Sequence, residues 1–266
     1  MKITIELAGM PMELIVDNND VFECIKREWK RFTTKNVPFG RINVTAGYTD
    51  GKLSGVVESG FHFSGGVYTS NNRFSGGSFD FRSGTGSVNV MINKNRLYGL
   101  SRFLVPIWSI FLLHKQKLLM HACGVEKSGQ GYMFSGPQQS GKSTIAQKSS
   151  KYHIFGDEII ILSLKDDSVV MSPTMLEGEY LARKGEEAAL KKIYFIEHGN
   201  RLTVKKMTDQ EKFYSVMKNS FPFMLFEKKS PEVFRTLFKL ASHYSLMVDC
   251  YRLTSRKEDD VWEVIK

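Results

Sequence analysis

The stretch GPQQSGKST at residues 136–144 has the composition and spacing of a phosphate-binding loop. Gly136 is followed five residues later by Gly141-Lys142-Ser143, which fits the pattern GxxxxGK[ST]. Glycines at these positions let backbone N–H groups turn inward and form a nest for an anion. A helix that starts near Gly141 would present its positive end to phosphate. We therefore predict that this loop binds the phosphates of a nucleotide.

The side chains of the loop predict a magnesium nucleotide as the ligand. Lys142 is expected to reach the β- and γ-phosphate oxygens, and the Ser143 hydroxyl to ligate magnesium. The expected cofactors are Mg²⁺ and ATP, with another nucleoside triphosphate left open. The predicted nucleotide-binding residues are Gly136, Gln138, Gln139, Ser140, Gly141, Lys142, Ser143 and Thr144.

The segments around the loop predict the strand and helix that must position it. YMFS at 132–135 is typical of a short strand, and KSTIAQKSS at 142–150 of a helix start. This setting weighs against a chance glycine-rich turn. LLMHACGVEK at 118–127 joins YMFS through a Ser-Gly-Gln-Gly turn, which predicts an antiparallel hairpin leading into the loop.

Two adjacent carboxylates follow the loop closely. HIFGDEIIIL at 153–162 predicts an apolar strand that opens with Asp157-Glu158. Beside a magnesium nucleotide, one carboxylate can help hold the metal and the other can accept a hydroxyl proton. An acidic pair at the start of a strand could instead only solvate a turn.

His121, the GPQQSGKST loop and GDEIIIL, in this order and spacing, resemble the catalytic domain of HPr kinase/phosphorylase. They resemble still more closely the HPr-kinase-related proteins of peptide-modification gene clusters. The resemblance covers residues 117–165 and, in outline, 166–266. It implies the mixed-sheet fold shared by HPr kinase and phosphoenolpyruvate carboxykinase, and phosphoryl transfer to a hydroxyl. It also implies that Asp157 is the base and that His121 lies near the acidic pair. Glu158 would either bind the metal together with Ser143 or support a residue that binds it.

The sequence departs from the relatives at three points. The acidic pair is Asp-Glu where they usually have Asp-Asp, Gln138-Gln139 stands in the loop, and their C-terminal substrate-engaging signature is missing. HPr itself is therefore not the expected acceptor. The first hypothesis is a kinase acting on a hydroxyl, chiefly serine, of a peptide, protein or small molecule, with Asp157, Lys142 and His121 as catalytic residues. The second is a nucleotide-binding accessory or switch protein. A lyase would need a second metal site rich in His and Asp, which the sequence does not contain.

Composition narrows the choice of partners. The formal charge is +9, but the basic residues are scattered and no nucleic-acid motif accompanies them, so we expect no nucleic-acid partner. Three cysteines without CxxC spacing argue against disulfides and zinc. The apolar run at 100–113 carries Arg102 and Pro106 and is short for a membrane span, so we expect a buried helix and no membrane partner. Without an apolar leader we expect a cytoplasmic protein. Homo-oligomer formation stays open.

The first part of the chain predicts a β-rich region. Residues 1–16 predict a hairpin, and 19–32 a helix with Asp20 as a possible cap. Between Arg41 and Ile92, turn signals separate short β-type segments, which predicts a meander of antiparallel strands; the segments are 42–47, 53–59, 66–70, 78–83 and 87–93. A helix should follow at about 95–113. We therefore predict two domains: residues 1–94, an antiparallel β-rich part, and residues 95–266, an HPr-kinase-like P-loop domain of the α/β class.

The C-terminal region predicts further elements of a compact α/β domain. Pro231 is expected to open a helix that packs an apolar stripe into the core. LMVDCYRLT at 246–254 predicts a strand, and DDVWEVIK at 259–266 a short helix. The predicted core residues of the stripe are Val233, Phe234, Leu237, Phe238, Ala241 and Tyr244.

Overall fold

The computed structural model describes residues 1–48, 60–72, 74–92, 97–176, 178, 186–225 and 231–265. Within these ranges the chain divides into two compact units. The first contains Met1–Phe111, and the second contains most of the described chain from Leu112 onward. Both units combine helices with mixed β-sheets, so the chain belongs to the mixed α/β class. The predicted division into two domains at residue 94 stays a prediction.

The first unit is built on one sheet. Its strands are β1 (Lys2–Leu7), β2 (Met10–Val16), β3 (Gly40–Tyr48), β4 (Gly60–Ser64), β5 (Val67–Asn72), β6 (Ser75–Asp80) and β7 (Thr85–Ile92). Its helices are α1 (Asn19–Glu28), which a 3-10 turn follows at Lys30–Phe32, and α2 (Tyr98–His114), which extends past the end of the unit. The strand order is β1-β2-β3-β7-β6-β5-β4.

The antiparallel hairpin predicted for residues 1–16 is confirmed, because β1 and β2 pair in that direction. The prediction that the whole β-rich part is antiparallel is wrong. Strand β3 pairs parallel with both β2 and β7, and only β4 to β7 form the antiparallel meander. Helix α1 connects β2 to β3, and such a crossover makes the two strands parallel. The segment 53–59 lies outside the described residues.

Two helices of the first unit differ from the predictions in detail. The N-terminal cap of α1 is Asn18, whose side chain accepts from the backbone N–H groups of Asp20 and Val21, so Asp20 is not the cap. Helix α2 contains the apolar run and Pro106, and most of its side chains are buried, as expected for a buried helix. Within the unit the ring of Phe103 lies 5.5 Å from that of Tyr68 on the sheet. In the described chain, no helix combines the length and apolar character needed to cross a bilayer.

The second unit contains eight strands among the described residues, four further helices and a 3-10 turn at Val261–Glu263. The strands are β8 (Leu118–Lys127), β9 (Gln130–Ser135), β10 (His153–Gly156), β11 (Ile159–Lys165), β12 (Ser168–Pro173), β13 (Ala188–His198), β14 (Thr203–Lys206) and β15 (Asp249–Ser255). The helices are α3 (Lys142–Lys148), α4 (Asp209–Lys218), α5 (Phe221–Leu225) and α6 (Pro231–Met247).

Strand β9, which leads into the loop, lies between β8 and β13. It pairs antiparallel with β8, which confirms the hairpin predicted for residues 118–135. It pairs parallel with β13, and β13 pairs parallel with β15. On its other edge β8 pairs antiparallel with both β10 and β11. The loop and the acidic pair are therefore fixed to neighbouring strands of one mixed sheet.

The C-terminal elements correct three predictions. In α6, Phe234 and Phe238 are 42% and 49% exposed, so they are not core residues; Val233, Leu237, Ala241 and Tyr244 are buried as predicted. The helix continues to Met247, and β15 therefore begins only at Asp249. The expected C-terminal helix is a single 3-10 turn. Its Trp262 indole donates to the Ser149 hydroxyl (2.8 Å), which fixes the turn against the end of α3.

Candidate functional site: a phosphate loop beside an acidic pair

Two residues of the predicted phosphate loop have a backbone with positive φ. The loop joins the end of β9 to the start of α3, as the sequence predicts. Gln139 has a φ of +65°, and Gly141, the residue that precedes α3, has a φ of +105°. Left-handed residues that alternate with right-handed ones turn successive N–H groups toward one point. A side chain at position 141 would strain this turn, which accounts for the glycine there.

Lys142 is buried inside the loop and is 5% exposed. Its ammonium donates hydrogen bonds to the carbonyl oxygens of Gly136 (3.0 Å) and Pro137 (2.9 Å). Burial lowers the pKa of Lys142 below its usual value, and the charges of Glu158, Cys123 and Asp157 oppose that shift. The fold therefore brings the loop lysine within electrostatic range of both residues of the acidic pair.

The polar side chains of the loop fall into two groups. Gln138, Gln139 and Ser143 are exposed, whereas Ser140 is buried. The Ser140 hydroxyl has no hydrogen-bond partner among the described residues. A buried hydroxyl without a partner is costly, so a ligand or a movement of the loop that supplies one would be favourable. Thr144, in the first turn of α3, is half-buried.

The acidic pair lies in an interruption between β10 and β11. The register of β10 on β8 shifts between Ile154 and Gly156, and β11 starts again at Ile159, opposite His121. Such a bulge changes the direction of the side chains that follow it. The carbonyl of Glu158 accepts from the Ala122 N–H (3.0 Å), so the pair stays attached to β8. The predicted strand thus starts at Ile159, directly after the acidic pair that was expected to open it, and residues His153–Gly156 form a separate strand, β10.

The two carboxylates have different surroundings. Asp157 is 2% exposed, whereas the side chain of Glu158 is 34% exposed. The backbone of Gly178 lies directly over Asp157: a Cβ added at Gly178 would be 2.7 Å from the Asp157 Oδ1 atom. Asp157 also helps to raise the pKa of the Cys123 thiol, although burial is the larger cause. Cys123 is therefore a buried, protonated thiol.

His121 contacts the more exposed carboxylate. Its Nε2 atom lies 3.0 Å from the Glu158 Oε1 atom, and its Nδ1 atom is buried with no partner among the described residues. A proton on Nε2 would be donated to the carboxylate, whereas a proton on Nδ1 would have no acceptor among the described residues, so a proton on Nε2 fits this site. The backbone N–H of His121 donates to Asn219, and its ring lies 5.9 Å from that of Phe221. His121 is therefore held in place next to Glu158.

The residues around the loop fit magnesium only together with a nucleotide. Among the described residues, no group of three or more His, Cys, Asp or Glu side chains could hold a metal ion. Magnesium, however, is commonly bound by one or two carboxylates together with substrate phosphates and waters. Glu158 supplies a partly exposed carboxylate and Ser143 an exposed hydroxyl.

A cavity of about 260 Å³ opens beside the loop. Gln139 and Thr144 contribute to its wall from the loop and α3. His198 and Arg256 contribute from the ends of β13 and β15, with Val261 beyond them. The sequence analysis missed His198 and Arg256 because only the parallel pairing of β9, β13 and β15 brings their strand ends to the loop. No sequence signal marks them.

A search of solved structures finds the HPr(Ser) kinase/phosphatase from Coxiella burnetii, with a TM-score of 0.31 and 9% sequence identity, over 55% of this chain and 90% of that one. A TM-score this low does not establish a shared fold. No family model matches the sequence, and no curated protein matches it.

Proposed function

We propose that the protein is an ATP- and magnesium-dependent kinase that transfers the γ-phosphate to a hydroxyl, chiefly serine, of a peptide, protein or small molecule. We further propose that its second unit is a P-loop domain of the HPr-kinase/phosphoenolpyruvate-carboxykinase type. The observation that supports this function is the attachment of the loop and the acidic pair to the same sheet. The loop follows β9 and the acidic pair directly precedes β11, and both strands pair with β8. A loop for phosphate and a pair of carboxylates beside it are the main parts that phosphoryl transfer requires of a protein.

In this proposal the loop binds and neutralises the triphosphate. The backbone N–H groups of the nest bind phosphate oxygens, and Lys142 moves from the carbonyls of Gly136 and Pro137 to the β- and γ-phosphates. Ser143 and Glu158 would hold magnesium, which supplies further neutralisation of phosphate charge when bound. His121 keeps Glu158 oriented through its Nε2 atom.

Asp157 is the proposed base. It accepts the proton of the acceptor hydroxyl as that oxygen forms a bond to the γ-phosphorus, and the bond from the γ-phosphorus to the bridging oxygen of ADP breaks. The products are a phosphate ester and ADP, and the proton ends on the Asp157 carboxylate. Because Gly178 covers Asp157, the backbone at Gly178 must move before an acceptor can approach the carboxylate.

The burial of Asp157 favours a second candidate. A carboxylate that is 2% exposed cannot contact an acceptor in this conformation. A protein that binds a nucleotide, changes the conformation of its loop and acts through a partner would not need such a contact. The second candidate is therefore a nucleotide-binding accessory or switch protein with little turnover.

A transfer assay separates the two candidates. The protein is incubated with γ-labelled ATP, Mg²⁺ and a degenerate peptide library containing serine, threonine and tyrosine, and label in ester linkage is measured. The kinase predicts transfer to a hydroxyl, and it predicts that Glu158→Gln needs more Mg²⁺ for half-maximal rate. ATP binding without transfer to peptide, small hydroxyl compounds or water would favour the accessory protein.

A further inference from the structure

The cavity beside the loop has the position of a nucleoside site. Its volume of about 260 Å³ is just below the range of about 300–1,000 Å³ typical of sites for whole small molecules. The cavity shares Gln139, Gly141 and Thr144 with the predicted phosphate site. A group bound in it would therefore be next to the phosphates.

The lining of the cavity indicates the direction of a bound nucleotide. None of Lys142, Asp157 and Glu158 lines the cavity. In loops of this pattern the lysine reaches the β- and γ-phosphates. The γ-phosphate therefore belongs at Lys142, outside the cavity, and the cavity is left for the other end of the nucleotide.

We propose that the cavity is the nucleoside subsite, which holds the ribose and the base of the nucleotide whose phosphates the loop binds. This inference rests on the proposed function, because it assumes that the loop binds a nucleotide. Ile145 and Val261 supply buried apolar side chains for the faces of the base. Arg256 and His198 supply the polar groups that would contact the edge of the base and the ribose.

The polar rim of the cavity is held in place by the protein itself. The Asp259 carboxylate accepts hydrogen bonds from the Nε (3.2 Å) and Nη2 (2.8 Å) atoms of the Arg256 guanidinium. It also accepts one from the Arg256 backbone N–H (2.8 Å). The Lys148 ammonium on α3 donates to the carbonyls of Lys257 (2.7 Å) and Asp259 (2.9 Å). A rim fixed in this way loses little conformational freedom when a ligand binds.

Arg256 keeps donors available for a ligand. A guanidinium has five N–H donors, and the contacts with Asp259 and Glu258 use Nε and Nη2. The hydrogen bonds that the described residues make with this guanidinium do not use Nη1. These donors suit the ring nitrogen and carbonyl acceptors of a base. His198 Nε2 lies 3.0 Å from the Gln139 carbonyl, so a base that contacts His198 would also act on the loop conformation.

Calorimetric titration with two probes tests the inference on the full chain. Mg-ATP carries a nucleoside, and Mg-tripolyphosphate carries only the phosphates. The wild type should bind Mg-ATP at least tenfold more tightly than Mg-tripolyphosphate. In Arg256→Ala the affinity for Mg-ATP should fall about tenfold or more, the loss expected for hydrogen bonds to a charged group, while the affinity for tripolyphosphate stays unchanged. Lys148→Met removes the hydrogen bonds that hold the carbonyls of Lys257 and Asp259 next to Arg256, so it should also lower the affinity for Mg-ATP.

Arg41→Ala is the matched control. Arg41 is also ion-paired, to Glu13, and its side chain is 53% exposed where that of Arg256 is 51% exposed, but it does not line the cavity. It should leave both affinities unchanged. Equal binding of the two probes by the wild type, or full ATP affinity in both cavity variants, would overturn the nucleoside subsite and leave the phosphate loop intact. If the wild type binds neither probe, the proposed function fails and the nucleoside subsite fails with it.

Discussion

Replacing Lys142 with methionine tests the role of the buried ammonium. Methionine keeps most of the apolar stem but removes the charge and the hydrogen bonds to the carbonyls of Gly136 and Pro137. In the free protein those bonds are lost, but a charge no longer has to be buried. We therefore expect the free energy of unfolding to change by less than about 1 kcal/mol.

The effect of Lys142→Met on nucleotide affinity should be larger. A hydrogen bond to a charged group contributes about 1.5–3 kcal/mol. On binding, Lys142 exchanges its two bonds to neutral carbonyls for bonds to negatively charged phosphate oxygens, and only the excess of the second pair over the first counts. This excess corresponds to about 1.4–2.8 kcal/mol, or a loss of affinity of about 10–100-fold.

Calorimetric titration with Mg-ATP measures the loss, and thermal unfolding of the same samples checks the fold. Lys165→Met is the control, because Lys165 is an exposed lysine that is ion-paired to Glu187 and does not line the loop cavity. It should bind Mg-ATP like the wild type. Equal affinity in Lys142→Met and the wild type would refute the assignment of the loop as the phosphate site.

Three further predictions concern the surroundings of the loop. In Gly178→Ala the new methyl group would lie 2.7 Å from Asp157 Oδ1, and the φ of +100° at residue 178 would strain an alanine. The rate of phosphoryl transfer should therefore fall more than about tenfold, while the affinity for ATP stays unchanged. Burial lowers the pKa of Lys142 in the folded protein below the ordinary lysine value of 10.5, so between these two pKa values the unfolded chain binds more protons than the folded chain. The wild type should therefore gain stability relative to Lys142→Met as the pH rises through this window, and urea unfolding at a series of pH values measures the gain. Burial raises the pKa of the Cys123 thiol, so mass spectrometry should find it alkylated by iodoacetamide only after unfolding.

The local parts of the site could be predicted from the sequence because they depend on neighbouring residues. The glycine spacing, the strand before the loop and the helix after it lie within one stretch of chain. The hairpin of residues 118–135 is equally local, and the structure confirms it. The position of the acidic pair next to the same sheet follows from the short connection through α3.

The remaining features depend on long-range pairing, which the sequence pattern does not specify. The parallel pairing of β3 with β2 and β7 gives the same alternation of side chains as an antiparallel meander would. His198 and Arg256 reach the loop only because β13 and β15 run parallel to β9. Phe234 and Phe238 have helical spacing, but spacing alone does not reveal which part of an apolar stripe other elements cover.

The rate of phosphoryl transfer by Asp157→Asn, measured beside its ATP affinity, tests the proposed kinase most directly. Asparagine keeps the shape of the side chain but cannot accept the hydroxyl proton. Transfer should fall by about 10²–10⁴-fold, the usual contribution of a positioned acid or base. ATP affinity should hold or rise, because one negative charge near the triphosphate is removed. Asp166→Asn, in the exposed turn between β11 and β12, should change neither quantity. A wild-type rate of transfer in Asp157→Asn would contradict the catalytic role of the acidic pair.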